Sequence, residues 1–447
     1  MTTASGLAIP RVPVFRLAPR ATALWRGSIF LALFSIIFLP EYARDGATSD
    51  GVSAYAKVAG GFRFIDLAIL FAAFCHAIAH GCLRHKVLRF PRPLMWPGVG
   101  FLACIAVAAY YGTARGGNNL FFDWRGLALG IALYLVWSFW LQTTADVATL
   151  GRLFAIYLAA RIALLYVLFV AGYRDNLLGV SIPVFDGPVV SCIVFAALLA
   201  CCYQENNVDP FAKLGWCCMA LAAYLMVFLC FRRTYWGELA IGTLILFLLQ
   251  GRHRLRNLVL VGSMFVVSAC VMGASFAGRV QSIVVTQDDT EFSADNADHL
   301  YDLMDAWSEV RQSPVMGIGL GTSYRTWHIK NWKTDSVMVH NAPLHVWLKY
   351  GLAGLLCYLW FHLTLLRWLY RQTKRPAAPS RAFVSAAFAY VTAQFVVTLG
   401  FAPWPYSEVQ LTTLLSFILA AVTAATANSP PLVRGSSFCR SLALVER

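Results

Sequence analysis

The chain has 447 residues, of which 59% are hydrophobic and only 13% charged, with a formal net charge of +14. Soluble domains average roughly 45–50% apolar and about 25% charged residues, so a water-soluble fold would lack polar surface and the chain reads as an integral membrane protein. Its positive charge is divided among short connections rather than gathered on one domain, which argues against a nucleic-acid partner.

Apolar runs of roughly 17–22 residues, enough to cross about 30 Å of hydrocarbon, recur about twelve times. They fall near 24–40, 64–82, 94–112, 126–142, 153–171, 188–204, 214–231, 235–250, 257–277, 342–363, 383–401 and 410–427. Such long, continuously apolar runs predict an all-α polytopic membrane protein rather than a barrel of alternating strands. Four segments follow: a bundle of about nine spans over 1–277, an extramembrane loop at 278–341, C-terminal spans over 342–427 and a tail at 428–447. Alternate connections carry the arginine and lysine clusters, among them Arg84–Arg92, Arg252–Arg256 and Arg367–Arg381. Cytoplasmic loops hold such excess, so both termini are expected in the cytoplasm and the 278–341 loop on the opposite face. No small-residue cleavage site follows the first span, which is expected to stay as an anchor. The twelve cysteines avoid the long loop and lie in or beside spans, apart from Cys439 in the tail, so they read as core packing rather than disulfides or metal ligands.

In chain order, the 41–63 connection is external and polar, and Gly112–Asn119 reads as a flexible external loop with Arg115 and Arg125 nearby. Arg161 falls near the middle of the fifth span, where an unpaired guanidinium costs on the order of 2.5–3.5 kcal/mol. Two readings stand: an ion pair with Asp66 or Glu238, and a contact to an anionic headgroup reaching into the bundle. Spans seven and eight are joined by Phe231–Gly237, which places Arg232 and Arg233 outside, against the charge bias. Adjacent planar forks suit a diphosphate better than a carboxylate, and snorkelling to lipid headgroups is the competing explanation.

The ninth span ends at Gly278-Arg279. In the loop, Leu300, Leu303, Met304, Trp307 and Val310 make one apolar stripe with Asp298, Asp302, Asp305 and Glu309 between them, predicting an amphipathic helix on the membrane or on the bundle that stops at Pro314. The following Gly317, Gly319 and Gly321 alternate with aliphatic residues. No strand precedes them, so a nucleotide loop is a weak reading and close approach to the bundle a better one. The loop closes with His340-Asn341 before the apolar run that contains Gly351 and Gly354. A histidine at the mouth of a span is either structural or, through its near-neutral pKa, a general base for a hydroxyl substrate.

Arg279, Trp307, the segment Pro314–Gly321, His340-Asn341-Ala-Pro-Leu344 and Gly351-Leu-Ala-Gly354 together resemble the O-antigen ligase and O-antigen polymerase superfamily, over about 75 residues in matching order. The rest of the chain agrees in span number and in its one large late loop. The resemblance implies an inverting membrane glycosyltransferase of the helical GT-C-like type at the periplasmic face of the bacterial inner membrane. Its donor would be a glycan on undecaprenyl diphosphate and its acceptor lipid A–core or another glycan, with no nucleotide, metal or other cofactor. Arg279 and one of Arg232 or Arg233 would hold the diphosphate, His340 would act on the acceptor hydroxyl, and Asn341 would fix the histidine end of the span. Many members carry a further arginine where the loop helix begins. This chain has His299 there, followed by Tyr301, and both are expected to contact substrate. Lys349 receives no role beyond an interior cation.

The shared motifs leave ligase and polymerase open. A lipid-linked glycan transporter is the alternative of another class, with Arg161 and Lys349 along its path; against it, the two halves show no matching pair of glycine- or proline-broken spans. A purely structural scaffold leaves the external arginines and His340-Asn341 unexplained.

Overall fold

The computed structural model describes residues 57–59, 62–63, 67, 70–71, 90–118, 120–141, 144–172, 174–177, 180–183, 187–206, 209–230, 232–249, 262–263, 266, 291–326, 334–336, 339–374, 381–400 and 409–427. They form the helices α1 (Arg92–Ala114), α2 (Leu120–Trp140), α3 (Thr144–Val170), α4 (Gly187–Asn206), α5 (Pro210–Leu229), α6 (Arg233–Leu249), α7 (Glu291–Gln312), α8 (Ala342–Thr373), α9 (Arg381–Thr398) and α10 (Val409–Ala427). Three two-stranded antiparallel hairpins lie in the connections: β1 (Lys57–Ala59) with β2 (Phe62–Arg63), β3 (Arg174–Leu177) with β4 (Val180–Pro183), and β5 (Tyr324–Thr326) with β6 (Thr334–Ser336). The all-α expectation therefore holds for the bundle and needs these hairpins added outside it.

Among the described residues, α1, α5, α8 and α9 are long and apolar enough to cross a membrane. With α2, α3, α4, α6 and α10 they coincide with nine of the apolar runs expected from the sequence. The run near 24–40, and most of those near 64–82 and 257–277, lie outside the described residues. The chain is a helical membrane protein.

Helix α4 is apolar on every side, and Val190, Ile193–Ala200 and their neighbours are fully buried, which makes it the centre of the bundle. Helices α5, α6, α9 and α10 pack on it, α2 pairs with α10, and α1 pairs with α8. Local signals set the boundaries. Asp209 caps α5, its carboxylate accepting from the Phe211 and Ala212 amides at 3.1 and 3.3 Å, with Pro210 in the first turn. The corner between α5 and α6 is closed by Trp236, whose indole N–H donates to the Val227 carbonyl at 3.0 Å.

Helix α8 is broken at Gly351, whose φ of 70° and ψ of −175° only glycine adopts readily. The break releases backbone groups that the helix would otherwise use, and the Pro314–Gly321 segment takes them. The Ile318 amide donates to the Leu348 carbonyl at 2.7 Å, and the Leu352 amide donates to the Pro314 and Val315 carbonyls at 3.2 Å. On its other side the segment meets α1, where the Leu320 amide donates to the Ala108 carbonyl at 2.9 Å and Gly319 lies against the backbone of Gly112. Gly112 thus belongs to the last turn of α1 rather than to a flexible loop, and the glycines serve the close approach expected of them. Irregular backbone wedged between two helices keeps its polar groups paired inside protein, the condition under which it is tolerated near lipid.

Candidate active site

Helix α7 presents two faces that its sequence does not separate. Ala306 and Val310 are buried against α8, with Asp302 on the same face one turn earlier, whereas Leu300, Met304 and Trp307 are exposed. The apolar stripe is therefore split: one flank with an aspartate packs on the bundle, and the other faces outward. The helix expected here is present, and it lies on the bundle through one flank of the stripe only. A carboxylate goes inside when enough donors meet it, and three meet Asp302. Its Oδ2 accepts from the His340 amide at 3.0 Å and lies 3.2 Å from His340 Nδ1, and its Oδ1 accepts from the Tyr324 hydroxyl. Burial alone pushes the Asp302 carboxyl up, but the bonds from the His340 ring, the Tyr324 hydroxyl and the His340 amide outweigh it and hold it below the ordinary carboxylate range. The His340 side chain is 40% exposed and that of Asp302 5%, so the carboxylate sits behind the ring and the ring faces out.

Asn341 is the N-cap of α8. Its Oδ1 accepts from the Leu344 amide at 2.9 Å, and Pro343 occupies the first turn. Its Nδ2 donates to the carbonyls of Leu399 and Gly400 at 2.8 and 2.9 Å, tying the mouth of α8 to the end of α9. The same end of α9 meets α6, since Val397 lies against Gly237. Arg232, just before α6, and Arg233, its first residue, therefore lie at the same end of the bundle as His340. Arg232 is exposed and Arg233 half-buried.

The remaining expected residues are placed as follows. Tyr301 is exposed on α7, next to Asp302 but turned outward. His299 lies on α7 with its side chain outside the described residues, and Arg279 lies outside them altogether. Arg161 is buried within α3. Glu238, one of its two expected partners, accepts from the Ser191 hydroxyl at 2.7 Å, and Asp66 lies outside the described residues. Among the described residues no three His, Cys, Asp or Glu side chains group closely enough to hold a metal ion.

Two features escaped the sequence. One is the Asp302–Tyr324 pair behind His340, for which the only signal was an aspartate spaced one and two turns from Ala306 and Val310. The other is Lys349, fully buried, whose Nζ lies 2.9 Å from Asp123 on α2. Asp123 also accepts from the Gly321 amide at 2.8 Å, and Lys349 donates to the Thr322 carbonyl at 2.5 Å, so this ion pair clamps the end of the glycine segment.

The apolar helical bundle thus carries, at one end, a carboxylate-backed histidine, with two arginines at the neighbouring start of α6, residue types that acid–base sites use. Residues 218–359 match the family model described as O-antigen ligase, a match that supports membership of the O-antigen ligase and polymerase superfamily. The match takes in Arg232, Arg233, Arg279, His299, Tyr301, His340 and Asn341, and leaves out Arg161 and Asp123. No curated protein matches the chain. The match supports a function of the O-antigen ligase or polymerase type in general, with a lipid-linked glycan and an acceptor as the partners the family implies.

Proposed function

We propose that the protein is an inverting, GT-C-like glycosyltransferase that moves a glycan from undecaprenyl diphosphate to lipid A–core at the periplasmic face of the inner membrane. His340 is the general base. It takes the proton of the acceptor hydroxyl while that oxygen bonds to the anomeric carbon from the face opposite the diphosphate. The bond from that carbon to the phosphate oxygen breaks, and its electron pair leaves with undecaprenyl diphosphate. Arg279, with Arg232 or Arg233, stabilises the charge that grows on the leaving group. His299 and Tyr301 contact substrate from the outer face of α7, and Arg161 is a further anion-facing candidate.

The observation that carries this reading is the exposed His340 ring with a buried carboxylate behind Nδ1, the arrangement in which Nε2 carries the lone pair that accepts a proton. The level of the ring supports it. Counting back from Arg367, about 20 residues at 1.5 Å each cover the ~30 Å hydrocarbon and reach Trp347. Trp347 meets Trp307 edge-on with ring centroids 5.3 Å apart, and paired indoles suit the membrane interface. His340 then stands about 10 Å further out, at the depth of a lipid diphosphate. The 278–341 loop acts as the catalytic segment between the spans of 1–277 and those of 342–427, with both termini cytoplasmic.

A polymerase, which transfers the chain to the next lipid-linked repeat, uses the same groups on a different acceptor. A transporter is disfavoured because Lys349 is closed into a buried pair with Asp123 rather than lining an open path. The test is transfer by purified protein in detergent, where a transporter makes no product. His340→Ala and Arg279→Ala should lose transfer while accumulating normally, and near-normal transfer by both overturns the reading. A deletion strain separates the enzymes: free, unattached polysaccharide indicates a ligase, and single repeat units on core a polymerase.

A further inference from the structure

We propose that Asp302, seated by Tyr324, is the positioning residue of this site: it holds the His340 ring through Nδ1 and offsets the charge the ring gains when it takes the acceptor proton. The inference rests on His340 being the base.

Three separate elements meet at this one carboxylate. Asp302 comes from the buried face of α7, Tyr324 from β5, and His340 from the mouth of α8. One oxygen, Oδ2, faces both the amide and the ring of the same histidine, so backbone and side chain are fixed together relative to α7. A tether that served folding alone could end at the amide; the ring contact adds control over which nitrogen carries the proton. The half-exposed ring and enclosed carboxylate divide the labour, one side meeting substrate and the other staying dry.

The charged and titratable neighbours leave that pairing intact. His345, one turn into α8, is buried with its Nδ1 accepting from the Val339 amide at 3.4 Å. Lys349 is engaged by Asp123. Arg325 is exposed on β5, and Asp305 is half-buried on α7 itself. When the acceptor proton reaches Nε2, the ring becomes an imidazolium whose positive charge lies against the Asp302 carboxylate. Nδ1 of that ring lies 3.2 Å from Asp302 Oδ2. After departure of undecaprenyl diphosphate the ring returns the proton to water.

The experiment measures the pH dependence of transfer from an undecaprenyl diphosphate-linked oligosaccharide to purified lipid A–core in detergent, with full-length wild type, Asp302→Asn, Tyr324→Phe and His340→Ala in parallel. Asp302→Asn keeps the shape and removes the charge. It should lower kcat by about 10²- to 10⁴-fold with little change in donor KM. It should also move the acid limb of the rate profile to lower pH, since a charged ring without its carboxylate sheds its proton more readily. Tyr324→Phe removes one donor from the carboxylate, leaving it a stronger partner for the ring. It should cost at most about tenfold and move the same limb the opposite way. An Asp302→Asn enzyme with wild-type kcat and limb overturns the inference. So does one whose kcat falls and KM rises together with the limb unmoved, which marks a structural tether only. Wild-type transfer by His340→Ala instead removes the functional reading beneath it. Should Asp302→Asn fail to elute as a monodisperse species, the limb shift of Tyr324→Phe decides: an unmoved limb overturns the inference.

Discussion

Lys349→Met tests how the glycine segment is held. The substitution keeps most of the side-chain volume and deletes the cation, leaving Asp123 with a side chain only 2% exposed and the Gly321 amide still directed at it. Removing one partner of a buried ion pair costs on the order of 3–5 kcal/mol, chiefly because the other charge is stranded. Adding Asp123→Asn should recover most of that, since the stranded charge disappears and an acceptor for the Gly321 amide remains. At about 1 °C per kcal/mol for a chain of 447 residues, the single variant should melt roughly 3–5 °C below wild type. The double variant should melt well above the single one. Buried Cys192, Cys201, Cys202 and Cys230 are in no disulfide, so a thiol-reactive dye in detergent reports opening of the bundle. Heating is irreversible for such proteins, and all variants must be scanned at one rate. A single variant melting with the wild type, or a double variant no better than the single, refutes the clamp.

Gly351→Ala places a side chain where the Val315 carbonyl now lies and asks a left-handed backbone of an L residue, so it should destabilise by more than about 1 kcal/mol and raise hydrogen exchange across 314–321 more than in the rest of α8. The lowered Asp302 carboxyl contributes stability that is fully present above the ordinary carboxylate value of about 3.9 and is lost as the pH falls below it through the folded value. Exchange at the His340 amide should therefore rise on acidification below that point, and Asp302→Asn should remove the pH dependence. An acid response unchanged in Asp302→Asn would assign it to another group.

The bundle was legible because an apolar run long enough to cross hydrocarbon leaves little choice of conformation, and the described helices fall on the expected runs. His340 and Asn341 were legible as a capped helix start after a polar loop. Helix α7 was legible as a helix, but periodicity marks an apolar face without saying which flank meets a partner, so the inward turn of Asp302 and the exposure of Leu300, Met304 and Trp307 could not be read. The Lys349–Asp123 pair joins residues 226 positions apart, and a lone lysine in a span does not announce a lone aspartate in another. Arg279, central to the functional reading, lies outside the described residues.

The broken helix also imposes an order on biogenesis. The Pro314–Gly321 segment needs Ala108, made long before it, and Leu348 and Leu352, made after it. At about 5–20 residues per second, the backbone groups at the Gly351 break follow a few seconds behind the segment that binds them. Until they arrive the segment has only half its partners, and the neighbourhood of His340 stays unassembled. A nascent chain stalled before residue 352 would thus hold a membrane anchor without a working site, and glycan transfer would begin only once insertion has passed that glycine.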